Sequence, residues 1–273
     1  MSTETVTARR EELLARLATE AESLRSSEGW QRWLRFAAKF RSYSLNNQLL
    51  IQTQYPTASF VAGFHTWRGL GRHVKKGERG IAILAPMTRR VTEEDSDESR
   101  RILSGFKVVF VFDVTQTEGE PLPVPDELPP VRVPDLRLRD QLIAVAERAG
   151  FPITITTEDL GARGWYAWES KTITIVGTYP VASQVRTLLH ELAHALDPVV
   201  GTPQSVRAER ELVAESVAFV IGTELGLGIE EASTQYVTGW GASTLTLTRL
   251  AREVLAVAEA VDRIVAELPL PGL

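Results

Sequence analysis

The sequence contains no cysteine, and among its 273 residues only two are methionine and four are histidine. Without cysteine there is no disulfide, no thiol nucleophile and no thiolate ligand, so any metal site has to be built from histidine, carboxylate and water. Long apolar runs are also missing. None approaches the roughly 18 to 20 residues that span a bilayer, and residues 1–10 carry no apolar segment of the signal-peptide kind. The expectation is a cytoplasmic protein without a membrane partner. What remains is ordinary for a globular chain, 44% hydrophobic and 24% charged, with length for two modest domains.

Acidic residues are almost absent from one stretch. Residues 30–90 hold eleven Lys and Arg against a single acid, Glu78, whereas from residue 118 onward twelve Lys and Arg face twenty-two Asp and Glu. The formal net charge of −5 therefore averages over two unlike parts. A local basic field of this kind attracts phosphate, so the N-terminal part is the candidate for nucleic acid.

Two of the four histidines fall in the stretch Leu188-Leu189-His190-Glu191-Leu192-Ala193-His194-Ala195-Leu196. Spaced four apart on a helix, His190 and His194 stand one turn apart on one face and can share one metal ion. Glu191 lies beside them, placed to take a proton from a water whose pKa zinc lowers to about 7. Val185, Leu188, Leu189, Leu192 and Leu196 recur near helical spacing, Ser183 is a plausible N-cap, and Asp197-Pro198 stops the helix. The bland alternative is a pair of core histidines.

The N-terminal half reads as follows. Residues 4–25 form a helix with Leu13, Leu14 and Leu17 as its apolar positions, packing on the next helix. Trp30, Trp33, Phe36, Ala37 and Phe40 recur every three or four residues, a wide aromatic face that reads as core rather than as a base-stacking platform. Ser42 or Ser44 caps a helix containing Leu45, Leu49 and Leu50, which gathers Tyr43, Asn46 and Asn47 at a helix N-terminus, there to meet a phosphate or base edge or simply to hold the cap. A short strand over 58–64 leads to glycine-marked turns carrying Arg68, Arg72, Lys75 and Lys76. Two β-rich runs, 80–86 and 106–114, suggest a hairpin with an acidic tip at 93–99.

These residues carry a resemblance. Trp33, Tyr43-Ser44-Leu45-Asn46-Asn47, Gln54-Tyr55-Pro56-Thr57-Ala58, Trp67, Leu70-Gly71-Arg72, Lys75-Lys76-Gly77-Glu78, Gly80-Ile81 and Phe112-Asp113-Val114-Thr115-Gln116-Thr117-Glu118-Gly119 resemble the N-terminal domain of ArdC-type antirestriction proteins. The resemblance implies binding of single-stranded DNA. Single strands lie in basic grooves with aromatic platforms, each stacked base contributing about 1 to 3 kcal/mol. Arg41, Tyr43, Asn46, Asn47, Arg68, Arg72, Lys75 and Lys76 are the candidate contacts.

Six prolines within 119–136 make an extended linker between a first domain, 1–118, and a second, 137–273. The second opens with an amphipathic helix over 136–149, ended by Gly150, then a strand at 153–156 and a hairpin of 164–168 with 172–176. A small sheet before a metal-binding helix is the zincin layout, in which a sheet edge can hold an extended peptide. The strand at 164–168 could equally be interior. The expected fold class is α+β throughout.

A catalytic zinc takes three protein ligands. The metzincin continuation fails, since Asp197 and Val200 stand where glycine and histidine would be needed. The helix expected over 205–225 offers Glu211 and Glu215, four apart on one face with small Ala214, Ala218 and Gly222, while Glu209 points away. Glu211 is the expected third ligand and Glu215 the partner that orients a ligating histidine. This gluzincin-type spacing is similar to that of ArdC and ImmA/IrrE-like metallopeptidases. Asp197 could support a histidine or merely end the helix. Before the last long helix, Tyr236 could donate to an oxyanion or pack against that helix.

The reading is thus a single-strand-binding domain joined to a zinc metallopeptidase domain acting on an unknown protein or peptide. The resemblance implies an antirestriction or mobile-element setting. Its rivals are a non-catalytic antirestriction protein with a structural zinc domain, and a regulatory protease that cuts a repressor.

Overall fold

A computed structural model of the chain describes residues 3–40, 42–92, 99–121, 134–158, 161–228 and 243–268. The acidic tip at 93–98, most of the proline-rich linker, Arg41 and Tyr236 lie outside the described residues. Helices and small sheets alternate along the chain, so the α+β class holds. Two compact units emerge, one drawn from Met1–Glu22 and Ser42–Pro123, the other from Ser23–Arg41 and Val124–Leu273.

In the first unit α1 (Thr3–Ser23) buries Leu13 against Leu50 of α3 (Leu45–Gln54) and Ala82 of β3 (Ile81–Thr92). These replace the expected partner, the next helix. The sheet has the order β1-β4-β3, with β1 (Val61–Gly63) and β3 each antiparallel to β4 (Ser99–Asp113), and a short helix, α4 (Phe64–Gly69), follows β1 directly. The hairpin runs further than apolar alternation indicated, because its outer half alternates polar residues and bends at a bulge between Met87 and Thr88, opposite Gly105. The free edge of β3 is sealed by two amides of α3 set two turns apart. Asn47 donates to and accepts from the Leu84 backbone, and Gln54 does the same with Ala82.

The residues that carried the resemblance knot the remaining loops together. Asp113 is fully buried, and its carboxylate accepts from the backbone N–H groups of Ser59, Phe60 and Thr115 and from the Thr115 hydroxyl. Four donors substitute for water around that charge. The Gln116 amide accepts from Asp113 N and donates to the Glu78 carboxylate and the Arg79 carbonyl. Strand β2 (Arg72–Val74) then pairs with β5 (Thr117–Gly119), where a Cβ on Gly119 would sit 2.4 Å from the Gly71 carbonyl oxygen.

The chain's second helix, α2 (Ser27–Ala37), belongs to the other unit. The division after Pro123 falls within the linker expected at 119–136, but residues 23–41, expected in the first domain, join the second unit. Trp30 and Trp33 are fully buried and meet edge to face at 5.1 Å. Trp30 Nε1 donates to Ser216 Oγ of α7 (Arg207–Glu224) at 3.0 Å. The aromatic stripe is core, as its spacing indicated, but core of the C-terminal unit. Trp30→Phe should lose about 1 to 3 kcal/mol, because buried Ser216 is left without its donor. In a Ser216→Ala background the same change should cost less, which thermal melts of the two pairs would read.

That unit is built on a three-stranded sheet of order β6-β8-β7, from β6 (Ile153–Thr156), β7 (Gly164–Ala167) and β8 (Thr172–Val176), with β6 parallel and β7 antiparallel to β8. Strand β7 is therefore an edge. The sheet packs against α5 (Leu136–Arg148) and α6 (Val181–Leu196), and α7 and α8 (Thr244–Val265) pack on α6 and on each other. Helix α6 begins at Val181, two residues before the predicted start, with Pro180 at its N-cap. Ser183 thus sits inside the first turn and caps nothing. The anchoring falls to Gln184, whose amide donates to the Gly177 and Tyr179 carbonyls of the preceding loop. No described helix is long and apolar enough to cross a membrane.

Candidate metal centre

Helices α6 and α7 pack on one another, and small residues of each, Ala193 on α6 and Ala214, Ala218 and Gly222 on α7, are buried. That packing brings three donors from two helices to one point. His190 Nε2 and His194 Nε2 lie 3.1 Å apart with their rings edge to face, and Glu211 Oε2 lies 3.4 Å from the first and 3.9 Å from the second. These are the described residues whose donor atoms gather within 4.8 Å. Ligands held at 2.0–2.1 Å by a tetrahedral ion stand about 3.3 Å apart. The triangle in the protein has nearly that size, and a donor set of two imidazoles and a carboxylate fits a divalent ion.

Around the triangle, Glu215 Oε1 faces His190 Nδ1 at 3.5 Å while its other oxygen is paired with Arg186. Asp197 does not support a histidine. It is buried against Arg210, which also bonds Glu253 of α8, and its second oxygen accepts from Val199 N. Once α6 has ended, the short side chain is aimed at the start of α7 rather than back along its own helix.

The electrostatics follow from burial. Glu191 is only 6% exposed, and burial pushes its carboxyl up to about 7, with Glu211 adding to the rise while His190 and a Tyr166 backbone hydrogen bond oppose it. Burial, then the neighbouring His190, pulls His194 down to about 4, so it is a neutral imidazole at neutral pH. Burial also draws His190 downward, but its hydrogen bond to Glu211 and the charges of Glu191, Glu215 and Glu211 outweigh this and leave it raised. That same bond to His190, against the cost of burial, keeps Glu211 below its ordinary value. A raised His190 pKa means that a proton competes with a metal ion at higher pH than for a free imidazole, about 6.5. Metal affinity should accordingly fall as pH drops through and just above that value, releasing a proton per ion bound, as calorimetric titrations in buffers of different ionisation heat would show.

A cleft of about 820 Å³ opens over the triangle. One wall is edge strand β7 with Trp165, Tyr166 and the following Trp168, and the other is the turn around Val200 and Gly201 with Arg207. Strand and helix come close because residue 164 is glycine. A Cβ there would lie 2.6 Å from Thr187 Cγ2 and 2.7 Å from the Thr174 carbonyl oxygen.

The basic candidates in the first unit separate into two groups. Tyr43 gives its hydroxyl to the Val61 carbonyl, the Asn47 amide is consumed by Leu84, and Arg72 clasps Thr117 and the Glu120 carbonyl. Lys75 Nζ donates to the Thr115 carbonyl from an exposed position. Arg68 and Lys76 are exposed and pair with no acid among the described residues, and Asn46 is half-buried. Phe60, Phe64 and Phe106 are about two-fifths exposed. An aromatic in an alternating run reads as core, so these three carry no sequence signal of exposure. Arg210 and the Arg186–Glu215 pair arise from contacts between separate helices and leave no periodic signal.

Fold and site together define a two-unit α+β protein with a histidine–histidine–glutamate centre beneath the edge of a small sheet. Residues 7–118 match the family described as the N-terminal domain of anti-restriction factor ArdC. The crystal structure of the antirestriction ArdC protein from plasmid R388, metal-free, is similar with a TM-score of 0.55 at 21% identity over 84% of this chain and 87% of that one. Its Mn(II)-bound structure is similar with a TM-score of 0.53 at 19% identity over 82% and 86%. An uncharacterized protein of Bacillus anthracis is 24% identical over 247 residues, 75% of this chain. The chain spans 42% of that relative's length.

Proposed function

We propose that the protein binds single-stranded DNA through its N-terminal unit and hydrolyses a peptide bond with a metal-dependent C-terminal unit, in an antirestriction or mobile-element setting. The observation that carries this is the convergence of His190, His194 and Glu211 beside buried Glu191 in a cleft bordered by a free strand edge. His190, His194 and Glu211 would hold a divalent ion. Zinc suits the donor set, and the ArdC relative was solved with Mn(II). When bound, the ion supplies Lewis acidity that polarises a carbonyl and acidifies water.

The remaining steps belong to the chain itself. Strand β7 aligns an extended peptide by main-chain pairing. Glu191, with its carboxyl pushed up to about 7, takes a proton from the attacking water and returns it to the leaving amine. Glu215, pinned by Arg186, orients the His190 ring through Nδ1. Tyr236 is retained as an oxyanion donor. Exposed Arg68, Lys75 and Lys76 meet phosphates, and Asn46 and Arg41 are further candidate contacts, while Tyr43, Asn47 and Arg72 shape the surface of the N-terminal unit.

The test is made on one preparation of the full chain: metal content by elemental analysis, and single-strand binding as a function of salt. One bound divalent ion per chain is expected, with affinity for DNA that falls steeply with salt. Each phosphate contact in a single strand contributes a slope of about −0.7, so Arg68→Ala with Lys76→Ala should flatten the slope by about 1.4. An unchanged slope would remove these two side chains from the interface.

A further inference from the structure

On the Ser183 side of the metal site the cleft continues into a recess of about 240 Å³, lined by Arg163, Gly164, Ser183, Arg186, Thr187 and Glu215 together with the site residues. Ser183, Thr187 and His190 stand on successive turns of one α6 face, so the recess runs along the helix directly from the reacting centre. Its size is that of about eight water molecules at about 30 Å³ each, enough for one side chain.

The lining is polar, and no large aliphatic or aromatic side chain contributes to it. A recess built to take an apolar residue would show the opposite. Two guanidinium groups border it. Arg186 is already neutralised by Glu215. Arg163 is exposed, lies 5.6 Å from the Tyr179 ring centroid, and has no carboxylate partner among the described residues. The Ser183 hydroxyl oxygen is buried with no hydrogen-bond partner among the described residues. An unmet buried hydroxyl is costly, and an acceptor supplied by a ligand would relieve it. With a divalent ion bound, the positive charge around the recess exceeds that of Glu191, Glu211 and Glu215.

We infer that this recess selects a carboxylate next to the scissile bond, either an acidic side chain or the substrate's own C-terminus, and that Arg163 is the specificity-determining cation, assisted by the Ser183 hydroxyl. This rests on the peptidase reading and names the substrate class of that site. Arg163 offers a planar two-donor fork to the carboxylate.

The experiment separates the two readings by using probes that anchor on the metal whatever the substrate. Peptidyl hydroxamates carry Glu, Gln, Leu or Lys at the position beside the chelating group, each with an amidated C-terminus. One further Leu compound has a free C-terminal carboxylate. Binding to the metal-loaded full chain is measured by calorimetry. The Glu compound, or the free-carboxylate compound if the C-terminus is the group selected, should bind about tenfold or more tighter than its neutral counterpart. Arg163→Gln should bring that ratio close to one, Arg163→Lys should restore part of it, and Arg163→Glu should turn the preference towards the Lys compound. Tightest binding by the amidated Leu compound, or a carboxylate preference that persists in Arg163→Gln, overturns the assignment while leaving the metal site intact. If no hydroxamate binds, or binding survives removal of the metal, the peptidase reading falls and this proposal with it.

Discussion

Glu191→Gln should retain one metal ion per chain and lose about 10²- to 10⁴-fold in hydrolysis of any peptide the unaltered protein cleaves. The substitution keeps the shape of a side chain that is 6% exposed and removes its ability to take up a proton. Metal should stay, because the three converging donors are His190, His194 and Glu211. Folding should be little affected, since burial already disfavours the carboxylate charge, as its pKa near 7 records. Undiminished cleavage with metal bound would show that Glu191 is not the base. Antirestriction activity that persisted after cleavage was lost would assign the biological effect to DNA binding alone, with the metal unit in a structural role.

The second large effect is expected at α7. Glu211→Ala should weaken metal binding by more than 100-fold, whereas Glu215→Gln should weaken it about 10- to 100-fold, the range for a partner that orients a ligand. The difference follows from geometry: Glu211 Oε2 stands 3.4 and 3.9 Å from the two Nε2 atoms, while Glu215 faces Nδ1 on the far side of the His190 ring. Glu215→Gln also keeps a hydrogen-bonding group beside Arg186, so the loss reports on the histidine rather than on a stranded guanidinium. Calorimetric metal titration, with circular dichroism as a check on the fold, distinguishes the two. A larger loss at Glu215 would exchange their roles.

Much of the candidate site was legible because it is local. A four-residue spacing puts His190 and His194 on one face of any helix, and the alternation of Leu188, Leu189, Leu192 and Leu196 announces the helix. The same periodicity reasoning placed Glu211 and Glu215 together and turned Glu209 away, where it pairs with Arg249. Reading failed where a side chain's partner is distant in sequence. Asp197, which could support a histidine or merely end its helix, does end it and holds Arg210 thirteen residues on. Asn47 read as a possible base contact and instead seals a strand edge at Leu84.

The placement of residues 23–41 in the first domain failed for a related reason, although the division after Pro123 falls within the expected linker. The linker's composition is a real signal, but composition cannot say that Trp30 will donate to Ser216, 186 residues away. Hydrophobic spacing tells a helix that it has a face to bury. It does not tell the helix what to bury it against.

By itself, then, the amino-acid order determined the absence of thiol chemistry, the split between a basic and an acidic half, the helices and strands with strong periodicity, and the histidine pair with its glutamates. Each depends on composition or on residues a turn or two apart, where backbone geometry alone sets the relation. Only the tertiary structure decided that α2 joins the C-terminal unit, that β7 is an edge, that Arg72 and Asn47 are spent on the backbone while Arg68 and Lys76 stay exposed, and that Arg163 and Ser183 open onto a polar recess beside the centre. Those relations are set by packing between distant segments, in which the approach of small residues such as Gly164 and Ala214 counts as much as the residues that carry charge.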